Sequence, residues 1–433
     1  MPAALSPGEG SAAVPSPVPP GRFAALANRE FRLLFASNMA FFLAMGSQGL
    51  VRGWLAFQLT RSELKLGMVG FAVAVPMFLA APLGGVIADR RERRGLIAAG
   101  QATVVLLELA ILALLLADAL QFWHLLAAAA GMGCVFPFIM PARQAIVANL
   151  VGRGGLASAI ALNMTGMNVT RVVGPALGGF LVAGIGPKAT YAFGVVLYAL
   201  ALVFLLQIRP SHPDPSGAKR SVRASLVEGI RYMREQPLVL VLLLFGLIPM
   251  FLAMPFQQLL PAFAEKIWRK GSDGLGLLSA LAGAGGVVGS MVVAWTHDAG
   301  GRARRQLLSM FGFGGFLFLF ALCPWFWGAL PLVFVANVFA SIYGTLNSTA
   351  IQLLIPDRVR GRISSFLMMS FSLPMLGALP ISAAAEAFGA PLAVGVASAL
   401  AVVIALAFYA ASPSLRKMDE AVRRGADREL AGS

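Results

Sequence analysis

Charge is scarce in this sequence. Only 12% of its 433 residues are Asp, Glu, Lys or Arg, where a water-soluble domain carries about 25%. That shortage excludes an ordinary globular enzyme, and the 58% hydrophobic content with a mean hydropathy of +0.79 leaves a membrane protein. Cysteine is almost absent: Cys134 and Cys323 both lie inside apolar runs, which argues against a disulfide or metal framework and predicts two buried small hydrophobes. Histidine is limited to His124, His212 and His297, far apart, with no His-Glu-x-x-His pair and no acid pair within a helix, so a membrane-embedded enzyme lacks its chemistry. No Gly-x-x-x-x-Gly-Lys-Ser/Thr phosphate loop occurs, which removes ATP as the direct energy source; no cofactor or metal is expected. Acids are also few, 19 against 34 Lys and Arg, for a net charge of +15. The basic residues sit in short clusters between apolar runs rather than in one stripe, the pattern of a positive-inside bias, so no nucleic-acid partner is expected.

What is present is a series of apolar runs of spanning length: 32–58, 66–88, 95–117, 123–148, 156–183, 189–208, 237–263, 274–296, 305–326, 329–354, 363–388 and 391–411. Twelve spans at roughly 20 residues each use about 240 positions, which fits the length. The expected fold is therefore all-α and polytopic, in two six-helix pseudo-repeat bundles at 22–208 and 237–411. A Pro-rich disordered tail is expected over 1–21, a polar linker over 209–236 and a second tail over 412–433. The linker contains SLVEGIRYMREQP at 225–237, which reads as an amphipathic helix lying along the membrane surface. The first tail lacks the basic start and apolar centre of a secretory signal, so the first span is expected to direct insertion. One set of alternate loops, with both tails and with Arg143 counted among them, holds 26 of the 34 Lys and Arg, and the other set holds six; both termini and the linker are expected in the cytoplasm of a cell-membrane protein.

The halves echo each other at an offset near 205. Gln144-Ala145-Ile146 followed by Arg153 answers Thr349-Ala350-Ile351 followed by Arg358, and Pro175 answers Pro380. Asp89 with Arg93 and Arg94 answers Asp298 with Arg304 and Arg305. Parallel repeats of this kind build transporters that rock about a central site.

GGVIADRRERR at 84–94 resembles the cytoplasmic loop signature of the major facilitator superfamily, through Gly85, Ala88, Asp89, Arg90, Arg93 and Arg94; Glu92 stands where most members have Gly. MPARQAIVANLV at 140–151, NVTRVVGPALGG at 168–179, the linker helix and PDRVRGRISS at 356–365 resemble the branch of enterobactin exporters and related multidrug effluxers. The resemblance implies a monomeric, proton-coupled exporter of a small molecule; an importer or facilitator on the same fold, and a passive channel, remain alternatives. In the loop, Asp89 among guanidinium groups accepts charge-assisted hydrogen bonds only while the helix ends stay close, which makes it a candidate latch; plain anchoring by arginines is the alternative. Gly174, Pro175, Gly178 and Gly179 resemble the helix-5 signature of proton-coupled exporters, where they would give a bend and a flat surface at the half-to-half interface.

Intramembrane charges are rare. Glu108 lies about 13 residues into helix 3 and Arg171 about 15 into helix 5; matched in depth and sign, they predict a buried ion pair, with Glu108 as a proton carrier the competing reading. Arg52, one turn after Gln48, is expected to snorkel outward from helix 1. The resemblance makes helices 1, 4, 7 and 10 the cavity lining, with Asn38 and Gln48, Phe136 and Phe138, Gln257 and Gln258, and Asn337, Ser341, Tyr343 and Asn347 as candidates for a bulky, partly apolar solute. For each, helix packing is an equal reading.

Overall fold

The structure, a computed structural model, describes residues 24–88, 90–212, 231–232, 234–296, 301–355, 370 and 372–416. The first expected tail, the second from residue 417 onward, most of the linker, Asp89, Asp298 and the 356–365 signature lie outside the described residues.

No strand occurs among the described residues. The helices are α1 (Arg29–Thr60), α2 (Glu63–Ala88), α3 (Arg93–Leu116), α4 (Phe122–Gly152), α5 (155–185), α6 (187–206), α7 (Pro237–Ile267), α8 (Gly271–Trp295), α9 (Arg302–Leu322), α10 (Phe326–Leu354), α11 (Leu373–Phe388) and α12 (Ala390–Ala411). With 155–206 taken as one helix, ten are long and apolar enough to cross a bilayer; α11, at 16 residues, is apolar but shorter. Large apolar side chains such as Leu106, Val196, Trp295 and Phe388 are more than half exposed, the surface expected of a chain solvated by lipid.

Local chemistry marks the ends of these helices. Asn28 caps α1 by accepting from the N–H groups of Glu30 (2.8 Å) and Phe31 (3.3 Å), and its amide donates to the Leu150 carbonyl at 2.7 Å, tying α1 to α4. Gly186, at φ 81°, turns the chain ahead of Pro187 and separates α5 from α6; a side chain there would be strained. α7 is interrupted at Ala253–Pro255, where the N–H groups of Ala253 and Met254 both bond the Pro249 carbonyl; the proline pair supplies the break, which hydropathy alone does not reveal. Cys323 is buried as expected, but Cys134 is exposed on α4: an apolar run says that a residue avoids water, not whether it faces protein or lipid.

Consecutive helices run up and down, so the turns at Arg61, Asp118, Gly186, Trp268–Lys270 and Gly389 gather at one end, here called distal, opposite the proximal end near Asn28 and Ser211. Glycine notches repeat in the two sequence halves. A Cβ at Gly84 or Gly133 would meet Pro137 or Val73 backbone across α2 and α4; one at Gly285 or Gly289 would meet Asn337 or Ser341 Cβ across α8 and α10, at 3.1 and 2.8 Å. Between the halves, α2 meets α11 and α5 meets α8, again through glycine: Cβ atoms at Gly67 and Gly283 would stand 2.6 Å from Ser382 Cβ and 2.9 Å from the Arg171 carbonyl.

Candidate functional site

A buried charge cluster joins α1, α3 and α6. Glu108 is fully buried, and its two carboxylate oxygens accept from the Arg52 guanidinium and the Tyr191 hydroxyl. Gln48 donates to the Tyr191 carbonyl at 2.7 Å and occupies the notch left by Gly194. The expected partner is Arg171; Arg52 takes that place, buried inside the first half rather than snorkelling. Depth explains the exchange: Arg52 lies eight residues before the distal end of α1 and Glu108 eight before that of α3, so both sit about 12 Å from the same face. Arg171 is exposed on α5 and has no hydrogen-bond or ion-pair partner among the described residues.

Arg143, expected as a cytoplasmic loop charge, is not in a loop. The structure puts it inside α4, 3% exposed, nine residues before Gly152. Its Nη1 donates to Asn38 Oδ1, Asn38 Nδ2 donates to Asn163 Oδ1 at 3.0 Å, and the guanidinium carbon lies 4.5 Å from the Phe41 ring centre. Asn38 is therefore held by α4 and α5 together.

The GPALGG segment divides its contacts. Gly174, Pro175 and Gly178 pack on α1 at Gly46 and Ser47, within one half, whereas Gly179 faces α8, where a Cβ would stand 2.7 Å from both Gly276 N and the Ser272 carbonyl. Close by, at the distal end, Glu265 Oε1 accepts from Trp54 Nε1 (2.9 Å) and Gln58 Nε2 (2.8 Å), and its other oxygen lies 3.8 Å from the Arg61 guanidinium. Lys266 Nζ donates to both oxygens of Glu63 at 2.7 and 2.8 Å, and Glu386 accepts from Ser62 Oγ (3.0 Å) and the Leu64 N–H (3.1 Å). Each of these contacts spans the two sequence halves, and none is evident in the sequence because the partners are 203 to 324 positions apart.

At the proximal end Gly85 lies in α2, and Arg93 donates to the Ala145 carbonyl at 3.3 Å. Glu92, the departure from the family pattern, caps α3 through the N–H groups of Arg94 and Gly95 and also accepts from the Ser211 N–H at 2.8 Å. Arg94 is the second residue of α3 and Arg90 lies in the turn before the helix, while Arg305 donates to the Thr296 carbonyl at 2.9 Å and Arg304 is exposed.

The helix-10 candidates are committed to helix packing. Asn337 donates to the Val333 carbonyl beside α8, Ser341 lies against Gly289, Tyr343 donates to the Phe245 carbonyl at 2.6 Å, and Asn347 accepts from Gln306 at 2.8 Å. Phe136, Phe138 and Gln258 are half-buried and Gln257 is exposed. An apolar cavity of about 460 Å³ between α7, α11 and α12, lined by Phe251, Gly377, Ile381 and Leu400, lies apart from all these polar groups.

Residues 20–429 match the family model described as transmembrane secretion effector. Enterobactin exporter EntS of Shigella boydii serotype 18 is 28% identical over 338 residues, covering 77% of this chain and 80% of that protein; its counterpart from Escherichia coli O81 gives the same figures. A mutant form of the nucleoside transporter NupG superposes with a TM-score of 0.73 at 14% identity over 88% of this chain and 99% of that one. A bacterial homologue of the human lysosomal transporter Spinster, in an inward-facing and unoccupied conformation, gives 0.69 at 17% identity over 90% and 98%. These relatives are membrane transporters, not enzymes, and the chain belongs to the transmembrane secretion effector family of the major facilitator superfamily.

Proposed function

We propose that this protein is a secondary exporter that moves a bulky, partly apolar small molecule, siderophore-like or drug-like, out of the cell by alternating access, driven by the proton gradient. Dividing 155–206 at Gly186 and counting α11 gives twelve spans, and the Lys/Arg asymmetry assigns the proximal end to the cytoplasm. One observation carries the reading: a set of side-chain hydrogen bonds and ion pairs joins the halves at the distal end, Glu265 to Trp54, Gln58 and Arg61, Lys266 to Glu63, and Glu386 to Ser62 and Leu64. Such a set is a gate, closed outward here, whose bonds must break for the outer side to open. The matching glycine notches of α2–α4 and α8–α10 support two halves of one design, able to rock as units. Glu108, with both oxygens bonded inside the first half, serves as an anchor of that half rather than as the proton carrier. The sequence motif that links Asp89 with Arg93 and Arg94 makes that loop the proximal counterpart of the gate in this reading. The name of the enterobactin exporters supports the outward direction and the siderophore-like class.

Everted membrane vesicles containing the protein, screened with a compound panel under an imposed pH gradient, test the proposal. Saturable uptake against a concentration gradient, abolished by a protonophore, is expected. Uptake that never exceeds equilibrium would sink it in favour of a facilitator or channel.

A further inference from the structure

We propose that Arg143 is a receptor for an oxyanion, such as a carboxylate or a pair of acidic vicinal oxygens, and that it selects substrates carrying such a group; the proposal rests on the exporter reading above. Of the guanidinium nitrogens, Nη1 is occupied by Asn38, while Nε and Nη2 are buried and have no hydrogen-bond partner. Those two nitrogens form one edge of the planar fork, with parallel N–H groups at the spacing of two oxygens on one carbon or on adjacent ring carbons. No carboxylate among the described residues forms an ion pair with Arg143.

Three further observations favour a ligand over a structural role. Phe41 and Phe42 stack on the cation at 4.5 and 5.7 Å and fix its plane, and Asn163 fixes Asn38, so the open edge is held in place by groups on α1 and α5. At the repeat offset of 205 the second half carries Ser348, so this charge is asymmetric between the halves, as a single cargo site would be. Finally, an uncompensated guanidinium inside a bilayer-spanning helix is costly, and such groups persist where they act on a substrate or ion. The site lies about 13 Å from the proximal end of α4, on the cytoplasmic side that an exported molecule meets first. Because the edge is sealed in this state, the ligand reaches it as α1, α4 and α5 shift or as the three-methylene arm swings.

The test uses the full-length protein in zwitterionic phosphatidylcholine nanodiscs, with benzoate as the probe and benzamide as its neutral isostere, read by thermal unfolding and by equilibrium binding. Benzoate is expected to bind saturably and raise the unfolding midpoint, and benzamide to do neither. Arg143→Gln and Arg143→Met should weaken benzoate binding at least tenfold, and Arg143→Lys should keep part of it, a point charge replacing a fork. A ligand-free midpoint equal to or above wild type in Arg143→Met is expected, because the uncompensated cation is gone; a purely structural arginine would lower it. Adding phosphatidylglycerol tells the sources apart: benzoate displaced by that lipid keeps the oxyanion site but assigns it to a lipid phosphate and overturns substrate selection. Equal benzoate binding in wild type and Arg143→Gln would refute the site while leaving the exporter reading intact, since uptake into vesicles is measured separately.

Discussion

Gly179→Ala is the sharpest probe of the gate, because this one glycine faces the other half while Gly174 and Gly178, in the same motif, face their own. A methyl group at position 179 would stand 2.7 Å from Gly276 N and from the Ser272 carbonyl, and closer still to Gly276 Cα. Carbon atoms in ordinary contact lie about 3.5–4.0 Å apart and Gly276 Cα would stand far inside that range, so the α5–α8 seam must open by more than about 1 Å against backbone that has no rotamer to yield. Overpacking of this order costs about 1–3 kcal/mol. Charged to the closed-outside state alone, it shifts the balance with the open-outside state about 5- to 150-fold.

The assay is labelling of Ser272→Cys, in a background where Cys134 and Cys323 are Ser, by a membrane-impermeant maleimide applied from outside. Ser272 is buried in the seam, so its labelling rate reports the open population. Gly179→Ala should raise that rate at least fivefold. Gly178→Ala, which presses on Ser47 within the first half, should lower thermal stability and leave the rate unchanged. Equal labelling of wild type and Gly179→Ala would refute both the gate and the claim that the helix-5 motif acts across the halves.

Glu108→Gln should strand the Arg52 guanidinium and cost about 3–5 kcal/mol, seen as lost detergent-stable yield; adding Arg52→Met should restore yield and adding Arg171→Met should not. Lys266→Met should leave the Glu63 carboxylate, only 6% exposed, without its partner and increase Ser272→Cys labelling, by a modest factor because Lys266 is itself partly solvated. Glu92→Ala should lower the unfolding midpoint through loss of about 1 kcal/mol of capping, with Glu92→Asp retaining most of it. Unchanged midpoints in both Glu92 variants would show that the cap contributes nothing.

Much of the architecture is legible because the bilayer imposes it residue by residue. A run of about 20 apolar positions is a local property, and so is the small-residue content of GPALGG, whose place at a helix interface follows from composition alone. Pairing across helices is not local. Equal distances from helix starts point Glu108 at Arg171, but α1 is 32 residues long and α3 only 24, so depth is comparable only when measured from a common face. Measured from the distal helix ends that the structure sets, at Thr60 and Leu116, Arg52 is the match. Arg143 is hidden by the rule that arginines near span ends belong to loops, although Pro141-Ala142 before it and Ala145-Ile146-Val147 after it continue the apolar run.

The polar groups inside the helices thus fall into three sets that differ in what motion would do to them. The Arg52–Glu108–Tyr191 cluster and the Tyr343 and Asn347 contacts close within one sequence half, so the proposed rocking would leave them intact and they would keep each half from deforming. The Glu265, Lys266 and Glu386 contacts cross between halves, and the same rocking would break them. Arg61, Lys266 and Glu386 keep contact with water at the distal surface, which lets these bonds exchange with water at small net cost and suits a gate; the same bonds at mid-membrane would lock it. Arg143 belongs to neither set, since its open edge closes with nothing in either half. That is the arrangement expected when the missing contact belongs to the cargo.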